Sequence, residues 1–167
     1  MGARPRLTGL AGLAILVTAG GGLTACAGGS ADFTRQAEAT CSTAARTIAA
    51  LNRPSDPAAG LRYALDRYAA VELAVSTVTD SALPGGEPGQ ALRQGWLRPA
   101  RASLLAARPA LSDLQHAVAD HDRVAAAAAF TRAAGAGTAS VDVAVLRSQQ
   151  LPSCADVFAV TPVAPAW

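Results

Sequence analysis

The chain has 167 residues, of which 51% are hydrophobic and 16% charged. Its 14 basic residues are all arginine and face 12 acids. Arg4 and Arg6 fall in an N-terminal leader, so the remaining 12 arginines meet 12 acids and the body is formally neutral. No basic stripe marks a nucleic-acid surface along the sequence, and no nucleic-acid partner is expected.

The first element in chain order is the leader, residues 1–25. Arg4 and Arg6 form a positive start, and Leu7 to Val17 supplies an apolar core broken by Gly9 and Gly12. Thr18 to Gly22 then loosens into small residues. The core falls short of the about 20 continuous apolar residues that a spanning helix needs. Directly after it comes Leu23-Thr24-Ala25-Cys26. This run resembles the lipobox of bacterial lipoproteins, whose pattern is an aliphatic residue, two small residues and a cysteine. All four positions match, and the resemblance covers only the first 26 residues. It implies that the Cys26 thiol carries a diacylglycerol, that residues 1–25 are removed, and that the chain is anchored on the extracytoplasmic face of the cell membrane. The membrane is then a partner through the lipid on Cys26. The alternative is an ordinary cleaved leader ending near Ala25, with Cys26 a free thiol. Alanine makes up 42 of 167 residues and lysine is absent, a bias that fits a GC-rich bacterial genome.

Cys26 to Trp167 leaves 142 residues, which suits one domain able to bury roughly two-thirds of its surface. With Cys26 taken by lipid, Cys41 and Cys154 remain in an oxidising compartment, where a disulfide is expected. It would close a loop of over 100 residues, worth up to about 4–5 kcal/mol in the chain-entropy view. The other reading, a redox-active or metal-binding pair, lacks the close Cys-x-x-Cys spacing.

Residues 26–31 read as a short flexible Gly/Ser/Ala tether. A first helix is expected over 32–52, with Phe33, Ala37, Cys41, Ala44, Ile48 and Leu51 on one face. Arg53-Pro54 ends it. Asp56 as N-cap and Pro57 at the first position open a second helix. Its expected buried stripe is Leu61, Leu65, Tyr68, Val71, Val75, Val78 and Ala82, and Pro84-Gly85-Gly86 stops it. Over 88–119 the register of Leu97, Leu104, Leu111, Leu114 and Val118 is helical, but Pro99 and Pro109 interrupt it. One kinked helix, or two meeting near Arg108-Pro109, is expected, with Gly95 easing the bend at Pro99. A fourth helix should start at Asp120 or Asp122 and run to about Leu146, its inner face Val124, Ala127, Phe130, Ala134, Thr138, Val141 and Val145. Gly135 and Gly137 weaken its middle and are candidate break points.

The expected fold is all-α, an antiparallel four-helix bundle over residues 32–158 clamped by Cys41–Cys154, with an irregular tail at 159–167. This layout is loosely similar to small cysteine-paired helical lipoproteins of unassigned role from high-GC Gram-positive bacteria, a likeness that carries no site residues.

Candidate chemistry is sparse. Asp113, His116 and Asp120 recur at i, i+3 and i+7, a spacing that places them on one helical face as candidate metal ligands. Ferritin-like bundles use a Glu-x-x-His motif twice, and Asp113-Leu114-Gln115-His116 is a single imperfect copy. The competing reading is a solvated helix end, with Asp120 or Asp122 capping the next helix. No Gly-x-Ser-x-Gly elbow and no phosphate loop occur. Tyr63, Tyr68, Trp96 and Phe130 read as core bulk, with a ligand pocket as the alternative. Trp167 has three open roles: docking on the bundle, the membrane interface, or a partner. No cofactor is expected. The functional expectation is a non-catalytic helical module working through an envelope protein partner, not an enzyme, with a small-ligand or metal binder as the alternative.

Overall fold

The computed structural model of the chain describes residues 25–137, 140–159 and 163–167. Apart from Ala25, the expected leader lies outside these residues. The described fold is all-helical, with no strand among the described residues.

α1 spans Ala25–Ala49, so residues 26–31, expected as a tether, are helical and continuous with it. Phe33, Ala37, Cys41, Ala44 and Ile48 are buried as their spacing requires, and Leu51 is half-buried just past the helix end. α2 spans Pro57–Asp80. The Asp56 carboxylate accepts the Ala59 N–H at 2.8 Å, and Pro57 occupies the first position, where no N–H is required.

That backbone N–H, with help from the Ser55 hydroxyl, holds the Asp56 carboxyl below the usual carboxylate range. A group depressed in the folded state stabilises above its unfolded pKa and loses that effect as pH falls through the folded value. Asp56→Asn keeps a good cap but cannot titrate. It should flatten the acid limb of the stability profile below about pH 4, read by thermal unfolding at neutral and acid pH. An acid limb identical to that of the parent would mean that the cap contributes nothing to it.

The buried face of α2 differs from the expected one. Gly60, Tyr63, Ala64, Arg67, Val71, Ala74, Val75 and Val78 face inward. Leu65 is 37% exposed, Leu61 and Tyr68 are half-buried, and Ala82 lies beyond the helix on the surface. Val71, Val75 and Val78 of the expected stripe are buried, Leu61 and Tyr68 pack only at the edge of the core, and Leu65 and Ala82 are turned outward.

The next helix is continuous over 86–119 but not uniform. α3 spans Gly86–Leu92, a π turn covers Arg93–Leu97, and α4 spans Arg98–Ala119. The irregularity lies at Pro99, not at Pro109. Pro99 has no N–H to give the carbonyl of Gly95. That carbonyl instead accepts the Asp142 N–H at 2.7 Å, while Arg98 N–H reaches back five residues to Arg93. Pro109 and Leu105 both sit on the exposed side of α4, where water can take the carbonyl the proline frees.

The expected fourth helix is broken. α5 spans Arg123–Ala134, capped by Asp122, which accepts from Val124 and Ala125. It ends at Gly135, and the chain turns through Gly137 at φ +80°, where an added Cβ would lie 2.4 Å from Val71. Val124 is 83% exposed and takes no part in the inner face. Ala127, Val141 and Val145 are half-buried, Phe130 and Ala134 are fully buried, and Thr138 lies outside the described residues. α6, Val143–Ser148, begins at its own Asp142 cap, and α7, Pro152–Ala159, follows. Counting 86–119 as one, the described residues hold six helical stretches rather than four.

Two apolar clusters lie end to end along α2. The first joins α1 and the C-terminal half of α2 to Leu92, Trp96 and Leu104, with Leu146 of α6 and Val157 of α7. The second joins Tyr63 and Ala64 to Leu114 of α4 and Phe130 of α5. Tyr68 packs against both. Beside it Arg67 is fully buried, and its Nε donates to the Ala134 carbonyl at 2.9 Å. Basic charge at that helix end is favourable, since the last carbonyls of α5 need donors. Burial pushes the Arg67 guanidinium down from its ordinary value, partly offset by Tyr63. Trp167 docks on the second cluster, edge-on to Phe130 with ring centres 5.2 Å apart, over Gly60, whose missing side chain makes room for it.

Candidate functional site

Cys41 and Cys154 form a disulfide between α1 and α7, with Cα atoms 4.8 Å apart and both residues fully buried. It is a structural staple inside the first cluster. Cys26 is the second residue of α1. Among the described residues, no helix is long and apolar enough to cross a membrane.

The acid-histidine trio does not converge. Asp113 is paired with Arg132 of α5 at 3.0 Å. His116 is exposed in the last turn of α4, and Asp120 caps that helix through its backbone. Among the described residues no group of three His, Cys, Asp or Glu is placed to hold a metal ion. Asp122, not Asp120, caps the following helix.

Of the aromatics, Tyr63, Trp96 and Phe130 are buried core residues. Tyr68 is half-buried and belongs to a surface network: its hydroxyl accepts from Arg108 Nε at 3.0 Å and donates to Glu72, which also pairs with Arg108 at 3.3 Å. The bonds to Tyr68, then to Glu72, raise the Arg108 guanidinium above its usual value.

Two open grooves flank α2. The first, of about 690 Å³, runs between α1 and α2. Thr40, Thr43 and Thr47 line its α1 wall, and each hydroxyl is already bonded to a carbonyl four residues back. The wall is therefore mostly methyl in character. Ala69 and Leu73 line the opposite side, and Leu73 is 64% exposed. Small residues of this kind let another helix come close.

The second groove, of about 950 Å³, lies between the end of α2 and the helix over 86–119. Arg93, Arg98 and Arg101 line it, with Gln90 and Gln94 beside them and no carboxylate among the lining residues. None of the three arginines has an ion-pair partner among the described residues, whereas Arg35, Arg108 and Arg132 do. Arg98 and Arg101 stand three apart, a spacing the sequence shows, but Arg93 is out of phase with Arg98 in a regular α-helix, where five residues subtend about 140°. The π turn supplies the alignment, since its five-residue bonding sets Arg98 beneath Arg93.

Comparison with known protein families, with curated proteins and with solved structures finds no match.

Proposed function

We propose that the chain is an exported lipoprotein, held by lipid on Cys26 at the extracytoplasmic face of the cell membrane. There it acts as a non-catalytic helical module through contacts with an envelope protein. Leu23-Thr24-Ala25-Cys26, behind a charged and then apolar leader, supports the anchor. Four long helices, α1, α2, the helix over 86–119 and α5, supply an antiparallel bundle-like frame in this reading, with α6 and α7 as its clamp.

The observation that carries the binding role is the Ala/Thr groove between α1 and α2. The threonine hydroxyls of its α1 wall are satisfied internally, Asp66 is the one charged residue lining it, and Leu73 stands out from its rim. Such a surface suits the close approach of a partner helix. A photo-crosslinking residue in place of Leu73, in the native lipoprotein in cells, should give a discrete higher-mass adduct. The same probe at Val124, exposed on α5 and outside the groove, should give none. Recovery of monomer alone from the Leu73 probe would overturn the reading.

A further inference from the structure

The arginine groove lies at the same end of the molecule as the start of α1. Ser30 and Phe33 of α1 line one small cleft together with Pro84 and Leu92. Leu83 and Arg93, the immediate neighbours of Pro84 and Leu92 in the chain, line the arginine groove. Cys26 precedes Ser30 by four residues, about 6 Å along a helix. A lipid on Cys26 therefore brings the Arg93 end of the groove to the headgroup layer of the leaflet.

The three arginines extend over about 12 Å of helix from that end. Counted from Cys26 the groove thus runs from about 6 to about 18 Å, against a headgroup layer of roughly 5–8 Å per leaflet plus the about 8 Å reach of its surface charge at physiological salt, so Arg93 lies in the layer and Arg101 at the fringe of its charge. The formal charge of the body is zero, so attraction to an anionic surface has to come from local clustering, and this groove supplies it. Guanidinium groups bind phosphate through paired hydrogen bonds. Leu105, 59% exposed, adds apolar surface beside them, which suits the glycerol portion of a lipid.

We propose that the groove of Arg93, Arg98 and Arg101 binds the phosphate headgroup of anionic phospholipids in the leaflet that carries the anchor. This rests on the anchoring of Cys26 proposed above. Binding here would fix how the domain is oriented on the membrane, which a flexible acyl chain alone does not do.

Native mass spectrometry of the full-length lipoprotein, extracted from cells in mild detergent, tests it. The probes are phosphatidylglycerol, phosphatidylcholine and soluble glycerol phosphate. Phosphatidylglycerol adducts should dominate over phosphatidylcholine adducts. Each of Arg93→Gln, Arg98→Gln and Arg101→Gln should weaken phosphatidylglycerol binding roughly fivefold, and the triple variant about a hundredfold. These side chains are exposed, so the variants should keep the parent circular dichroism. Equal adducts of the two lipids, or a preference surviving in the triple variant, would overturn the proposal. Arginine-dependent binding of glycerol phosphate without lipid preference would also overturn it, in favour of a soluble phosphate compound. The same spectra weigh the chain at Cys26. An unacylated chain that still prefers phosphatidylglycerol would sink the anchor alone, and an acylated chain without preference would sink the groove alone.

Discussion

Replacing both Cys41 and Cys154 with alanine should lower stability by about 3–5 kcal/mol and the melting temperature by roughly 10–20 °C. Two features of the bridge place the effect near the top of the usual range. It joins residues 113 apart, so its removal frees a long loop in the unfolded chain. It also ties α7, an eight-residue helix, to the middle of α1. A helix so short has little stability of its own and depends on what holds it. Calorimetry of the parent and the double variant reads the global loss. Hydrogen exchange adds a spatial signature: amides of α6 and α7 should lose protection first, while those around Tyr63 and Phe130, in the other cluster, should keep theirs. A melting temperature within about 3 °C of the parent would mean that packing of α7 on α1 suffices without the bond.

The inner face of α1 was legible because Phe33, Cys41 and Ile48 contrast with the polar residues between them and recur at helical spacing. The caps of α2 and α5 were legible for a local reason as well, since an aspartate three residues before free N–H groups needs nothing from the rest of the fold. The N-terminal half of α2 was not legible. Leu61 and Leu65 look like core residues and Arg67 does not. Yet Arg67 lies in line with Ala64, Val71 and Ala74, and the carbonyl that receives it belongs to Ala134, 67 residues further on. In a chain so rich in alanine, the apolar contrast between faces is weak, and one distant acceptor decides the phase.

The break after α5 has the same character. Gly135 and Gly137 read as weak points in a helix, but the turn at Gly137 is set by Val71 of α2, against which no side chain would fit. For the candidate sites the limit is sharper. The Ala/Thr groove has no sequence mark of its own, because small residues fit tight internal packing and an open helix-accepting face equally well. The arginine groove was only half legible: Arg98 and Arg101 stand at i, i+3, but Arg93 lies about 140° from Arg98 in a regular helix and is brought nearer by the π turn. That turn in turn depends on Pro99 lacking an N–H and on Asp142 taking up the Gly95 carbonyl.

The π turn also bears on the largest core side chain. Trp96 and Leu97, the last two residues of the turn, are both buried. Trp96 is fully buried, meets Phe158 of α7 edge-on at 6.0 Å, and fills a cluster in which Ala37, Ala74, Ala100 and Ala155 supply little bulk. Trp96→Ala should therefore cost about 3–5 kcal/mol, since small neighbours cannot extend to fill the void. Trp96→Phe should behave differently. The indole Nε1 is buried and makes no hydrogen bond among the described residues. Its burial already costs the folded state about 1–3 kcal/mol, which phenylalanine does not incur. That gain offsets part of the smaller ring's lost contacts, and the net loss should stay below about 2 kcal/mol. Urea unfolding of the three proteins, followed by far-ultraviolet circular dichroism, measures the difference. If phenylalanine destabilises as much as alanine does, the indole N–H has a partner in solution, and the interior around the π turn is wetter than its apolar lining implies.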